Sequence, residues 1–275
     1  MTGARPVLNE LRAIVPPLLP EFHKGQAGRV GIIGGCREYT GAPFFASMAS
    51  MRLGCDMSFT ICDPVAAPTI KSYSPDVIVH PVFGASRSVT EVRTDLSALF
   101  ARLHSLVIGP GLGREPHMQT FAQVAIDVAR ARGLYLVLDA DALWLLQNNL
   151  AAIMGYDRAV LTPNVVEFGR LCDAVGVDRS HFDTAVEHLA EAFCGPTILA
   201  KGQWDRIASP ACVSANKWRA KVRCSRWTQA LRRSGRYPLR FTGHNARVGT
   251  AVRGACGSGR RGARRRWRSA PAGAG

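Results

Sequence analysis

Clusters of glycine, carboxylate and basic side chains recur along this chain of 275 residues, and they are where chemistry can be done. Gly34-Gly35-Cys36-Arg37-Glu38-Tyr39-Thr40-Gly41-Ala42-Pro43 is a glycine-rich turn without the GxGxxG spacing of a dinucleotide fingerprint. Tight turns need glycine for purely structural reasons, so alone it says little. Gly109-Pro110-Gly111-Leu112-Gly113-Arg114 is denser in glycine; backbone N–H groups there can come close to a ligand and Arg114 can meet a phosphate, the alternative being a crowded turn. Asp139-Ala140-Asp141 carries two carboxylates that can orient a metal-bound phosphate; Asp141 suits a helix cap equally well, and Asp139 suits the edge of an active site. In Thr162-Pro163-Asn164-Val165-Val166-Glu167-Phe168-Gly169-Arg170, Asn164 precedes Glu167 by three, the outline of a capping box, which by itself accounts for both residues. Lys201-Gly202-Gln203-Trp204-Asp205 is a basic turn suited to nucleotide phosphates.

These clusters follow short β-rich runs. The runs are Val30–Ile33, Ser58–Ile61, Val77–Val79, Leu106–Ile108, Leu134–Leu138, Ala159–Leu161 and Thr197–Leu199. Most are apolar throughout rather than alternating, as strands covered on both faces must be. Between them, Phe44, Met48, Met51 and Cys55 share one helical face, as do Phe121, Val124, Ala125 and Val128, and again Phe182, Val186, Leu189 and Phe193. Pro43 stands in a first helical turn, where its missing N–H is harmless. Alternating strands and helices predict an α/β fold with a doubly wound, mostly parallel sheet. In such sheets ligands bind beyond the carboxyl ends of the strands, which is where the clusters fall.

Charge divides the chain unevenly. The net charge is +15, yet all 20 acidic residues lie between Glu10 and Asp205. Residues 1–205 carry 17 basic and 20 acidic groups; residues 206–275 carry 18 basic groups and no acid. The division predicts a folded α/β body over 1–205 and a basic, acid-free tail over 206–275, where the strand–helix pattern stops and too little apolar surface remains to offset ordering entropy. The eight cysteines form no CxxC pair and several lie in apolar runs, which points to reduced buried thiols rather than zinc or disulfides. No secretory h-region, transit-peptide pattern or membrane-spanning run is legible, so a cytoplasmic location is expected, with a mitochondrial one if an N-terminal extension is missing.

The order GIIGG, YTGAP, VIGPGLGR, LDADALW, LTPNVVEF and AKGQWD, spread over Lys24 to Asp205, resembles the ATP-dependent (S)-NAD(P)H-hydrate dehydratases of the ribokinase-like fold. The resemblance implies repair of the hydrated cofactors NADHX and NADPHX: ATP phosphorylates the hydroxyl of the hydrate, and loss of phosphate restores the dihydronicotinamide, with Mg²⁺ assisting. It implies that Gly111 and the segment Asn164, Val165, Val166, Glu167, Phe168, Gly169 and Arg170 contact the hydrate. It implies further that Lys201, Gly202, Gln203, Trp204 and Asp205 line the ATP site. No protein metal-ligand set is expected. The partners expected are small molecules and, functionally, an NAD(P)H-hydrate epimerase; no membrane and no specific nucleic acid are expected, and self-association is left open.

One family element is missing. Beyond the KGxxD turn, relatives carry Gly-Gly-Gln-Gly-Asp, whose backbone N–H groups form an anion hole and whose Asp is the catalytic base; residues 206–275 contain no such sequence, so the catalytic residue of this chain is unknown. The codons of the tail can nevertheless spell it. Gln229 to Gly243, read one base later, permits Arg-Arg-Cys-Gly-Gly-Gln-Gly-Asp-Ile-Leu-Ser-Gly-Ser-Leu-Ala. The expectation is a frameshifted C-terminal third, beginning between Gln203 and Lys217, and a chain that is inactive or nearly so. The alternatives are another ribokinase-like small-molecule kinase, and a non-catalytic, sequence-independent nucleic-acid binder using the basic tail with Trp218, Trp227 and Trp267.

Overall fold

The computed structural model describes residues 19–210 and the backbone of 220–223. Strands and helices alternate: β1 (Arg29–Ile33), α1 (Gly41–Leu53), β2 (Met57–Ile61), α2 (Ala67–Tyr73), β3 (Ile78–His80), α3 (Val89–Phe100), β4 (Ser105–Ile108), α4 (Pro116–Ala131), β5 (Tyr135–Leu138) and α5 (Asp141–Asn148). A 3₁₀ turn at Leu150–Ala152 leads to β6 (Ala159–Leu161), α6 (Val165–Val175), α7 (Phe182–Phe193), β7 (Thr197–Ala200), β8 (Trp204–Ala208) and β9 (Ala220–Arg223). The sheet order is β3-β2-β1-β4-β5-β6-β7-β8-β9. Pairing is parallel from β3 to β7, and antiparallel where β7 meets β8 and β8 meets β9.

The apolar runs become strands because helices cover both faces. Ile32, Ile33, Leu106, Ile108, Leu136, Leu138, Leu161 and Ile198 are all buried. On α4, Phe121, Val124, Ala125 and Val128 form one buried stripe, and on α7 Val186, Leu189 and Phe193 are buried with Phe182 packed beside them. The first predicted stripe is shorter than expected: α1 ends at Leu53 because Gly54 adopts a left-handed conformation (φ 117°), so Cys55 lies beyond the helix. Phe44, Met48 and Met51 pack half-buried against a smaller cluster containing Cys62, Ile70 and Val79.

The sheet also continues past Asp205. That residue lies inside β8, and β8 pairs Trp204–Ile207 with Arg223–Ala220 of β9, so residues 206–210 and 220–223 belong to the folded body. The rest of the predicted tail lies outside the described residues. Among the described cysteines all are free thiols; Cys36, Cys62 and Cys172 are buried, but Cys194, at a left-handed helix end, is exposed. Burial pushes the Cys62 thiol up to about 12 and that of Cys172 up to about 11, so both stay protonated and inert. No helix among the described residues is long and apolar enough to cross a membrane.

Candidate active site

The strand order reverses between β1 and β4, and the carboxyl ends of the strands at such a reversal are the usual ligand position in this kind of sheet. The two glycine clusters meet there. Gly35 N–H donates to the Gly111 carbonyl at 2.8 Å. A Cβ on Gly34 would overlap the Pro110 carbonyl oxygen, and one on Gly111 (φ 63°) would press on Tyr39 and Pro43. These glycines are therefore required by two loops in backbone contact.

From Gly111 the site runs along adjacent strand ends. Gly113 N–H donates to Asp141 Oδ2 at 3.0 Å, and Arg114 Nε donates to Asp141 Oδ1 at 3.3 Å. Asp141 is the first residue of α5, yet its carboxylate reaches the preceding glycine loop instead of capping its own helix. Asp139 points the other way: its Oδ1 accepts from Thr162 Oγ1 at 2.9 Å and from Lys201 Nζ at 2.7 Å. Between the two carboxylates, Ala140 has φ 48° and ψ −116°, a conformation that strains any residue with a Cβ. Gly109 explains why the turn is held: a Cβ there would overlap the Asp139 carbonyl oxygen.

Lys201 N–H donates to the Pro163 carbonyl at 2.8 Å, which brings β7 against the segment before α6. That segment forms the capping box legible in the sequence. Asn164 Oδ1 accepts from Val166 N–H at 2.9 Å and Glu167 N–H at 3.0 Å, while Glu167 Oε2 accepts from Asn164 N–H at 2.8 Å. The predicted hydrate segment divides by exposure. Asn164, Val165, Val166 and Arg170 are exposed and Glu167 half-buried, whereas Phe168 and Gly169 are buried. Phe168 packs edge-on against Phe182. In the basic turn, Gly202 N–H donates to Asp205 Oδ1 at 3.0 Å, so Asp205 shapes the loop; Lys201 and Gly202 are half-buried and Gln203 is exposed.

Hydrogen bonds thus tie the successive loops together: Gly113 to Asp141, Thr162 and Lys201 to Asp139, Lys201 to Pro163, and Gly202 to Asp205. Thr162, quoted in the sequence only as part of a motif, proves to be a direct partner of Asp139. A second pair was not legible at all: His117 Nε2 lies 3.1 Å from Asp63 Oδ2, with Glu115 3.5 Å from Nδ1. The 54 residues separating Asp63 from His117 leave no local signal.

Among the described residues no group of three or more His, Cys, Asp or Glu side chains comes together to hold a metal. A magnesium ion that arrives on nucleotide phosphates needs less, one or two carboxylates. Asp139 fits that requirement, since no hydrogen bond from the described residues reaches its Oδ2.

Comparison with known proteins agrees with this architecture. The family model described as NAD(P)H-hydrate dehydratase matches residues 30–223. An ATP-dependent (S)-NAD(P)H-hydrate dehydratase from Mycosarcoma maydis is 55% identical over 204 residues, covering 74% of this chain and 58% of the relative. The chain spans 58% to 65% of the length of four such curated relatives. A ribokinase-like superfamily protein from Enterococcus faecalis V583 superposes with a TM-score of 0.61 at 21% identity, covering 73% of this chain and 66% of its own. An ADP/ATP-dependent NAD(P)H-hydrate dehydratase from Bacillus subtilis, co-crystallised with ATP and Mg²⁺, does so with a TM-score of 0.53 at 21% identity, covering 73% and 67%. These structural likenesses establish the fold as ribokinase-like, and the sequence matches establish the kinship: the chain belongs to the NAD(P)H-hydrate dehydratase family.

Proposed function

We propose that the chain carries the body of an ATP-dependent enzyme that dehydrates (S)-NADHX and (S)-NADPHX to NADH and NADPH. The observation that supports this best is the Asp139–Ala140–Asp141 turn, which ties a glycine loop on one side to a lysine turn on the other. The arrangement suits two ligands, a hydrate near Gly111 and the Asn164–Arg170 segment, and ATP near Lys201–Asp205. Within that segment, Asn164, Val165, Val166, Glu167 and Arg170 are available to a ligand, while Phe168 and Gly169 hold α6 against the core. Lys201, steered by Asp139, supplies positive charge for phosphates. Mg²⁺, when bound with ATP at Asp139, supplies further neutralisation of phosphate charge. In the overall change the hydroxyl oxygen of the hydrate leaves with the γ-phosphate as inorganic phosphate, a ring proton is lost, and the carbon–carbon double bond returns.

We propose also that the tail is the enzyme's own C-terminal third read out of frame. The family match reaching residue 223 supports a change of frame beyond Arg223, later than the interval from Gln203 to Lys217. Read so, this chain has neither the anion hole nor the base. Location in the cytoplasm, supply of the substrate epimer by an NAD(P)H-hydrate epimerase, and self-association belong to the same reading.

The test is product analysis. With the frame restored after residue 223, ATP and NADHX are expected to yield ADP, phosphate and NADH in equal amounts. Accumulation of a phosphorylated small molecule without NADH would make the protein a kinase instead. Sequencing the transcript is expected to show codons for 229–236 that spell Gly-Gly-Gln-Gly-Asp one base on; codons that cannot do so would end the frame proposal.

A further inference from the structure

We infer that Arg114 reads a phosphate of the dinucleotide substrate on the hydrate side of the site. The inference rests on the dehydratase reading above. Arg114 follows the glycine loop directly and is held in two ways. Its Nε donates to Asp141, and its guanidinium lies over the Trp144 ring, 5.3 Å from the centroid. Asp141 is itself fixed by Gly113 N–H, so side chain and loop move together. Despite these restraints the Arg114 side chain is 54% exposed, and among the described residues its two terminal nitrogens make no hydrogen bond. A guanidinium anchored by Nε and by its face, with its outer N–H groups open to solvent, is preorganised for a bidentate anion.

The position selects which anion. The strained turn sends Asp139 to Lys201 and Asp141 to Arg114, so the two cations flank it on opposite sides. Lys201 stands with the turn assigned to ATP, and Arg114 with Gly111, assigned to the hydrate. The phosphate read by Arg114 is therefore the one linked to the nicotinamide riboside, and not one of ATP.

The test uses the 275-residue chain with two probes that differ by one phosphate, reduced nicotinamide mononucleotide and reduced nicotinamide riboside, with binding followed by dihydronicotinamide fluorescence. Wild type is expected to prefer the mononucleotide by on the order of tenfold at low salt, the preference shrinking as salt is added. Arg114→Gln is expected to erase that preference while leaving affinity for the riboside and for ADP unchanged; Arg114→Lys keeps part of it. Retained preference in Arg114→Gln, an equal loss for both probes, or a loss confined to ADP would overturn the inference and leave the dehydratase reading standing. Failure of wild type to bind either the mononucleotide or NADPH would also overturn the inference, while the dehydratase reading is decided separately, by turnover of the reframed chain.

Discussion

Asp139 takes two hydrogen bonds on one carboxylate oxygen, from the hydroxyl of Thr162 and the ammonium of Lys201. The pair is partly shielded, with side-chain exposures of 31% for Asp139 and 22% for Lys201. Removing the carboxylate leaves a half-buried ammonium without its partner, a loss of about 3–5 kcal/mol at a fully buried site and much less at this partly exposed one. Asp139→Ala is therefore expected to lower the thermal midpoint by a few degrees, and Asp139→Asn, which keeps an acceptor for Thr162, by less. Midpoints unchanged from wild type in both variants would mean that the geometry carries no energy. Both residues stood out in the sequence as polar groups at strand ends, but their partnership did not, because 62 residues of chain separate them.

The elements place these side chains, and one of them does so under strain. Ala140 sits at the strand-to-helix turn with φ 48°, where glycine is at ease and alanine is not. Strain of this kind amounts to about 1–3 kcal/mol, while glycine adds back roughly 0.5–1 kcal/mol of chain entropy. Ala140→Gly should thus raise the thermal midpoint slightly and at the same time loosen Asp139 and Asp141, weakening ADP and nicotinamide binding. A lower midpoint would show that the turn is relaxed as it stands. Seven strands and three helix faces were legible, since unbroken apolar runs and 3.6-residue stripes report burial directly, whereas β8 and β9 fell in what read as a basic turn and a tail. The turn was not: nothing in Asp-Ala-Asp announces that its two carboxylates face opposite neighbours. Nor did the change of composition at Asp205 mark the end of folding, because a strand needs only a partner, and β9 pairs with β8 through backbone groups whatever the local charge.

At the scale of the molecule, two histidines set a limit in acid. Partial desolvation, aided by the neighbouring cations Arg102 and Lys71 at half-buried His80 and Arg29 at more exposed His104, holds both below their ordinary value of 6.5 in the fold. The unfolded chain then binds more protons than the native one between those lowered values and 6.5. Stability must rise with pH across that window and fall as pH drops through it. The thermal midpoint is expected to decline as pH falls below 6.5, and to decline less steeply in a His80→Gln, His104→Gln double variant. An unchanged slope in that variant would assign the acid limit to other groups.

In the proposed reading the body holds the loops for a hydrate and ATP, and the missing anion hole and base lie in another frame of the same codons. The decisive measurement is ATP-dependent recovery of NADH from NADHX, with the 275-residue chain and the chain reframed after residue 223 assayed side by side. The account predicts turnover by the reframed protein and none, or a rate lower by many orders of magnitude, from the chain as written. Equal turnover by both, or none by a folded reframed protein, would contradict it.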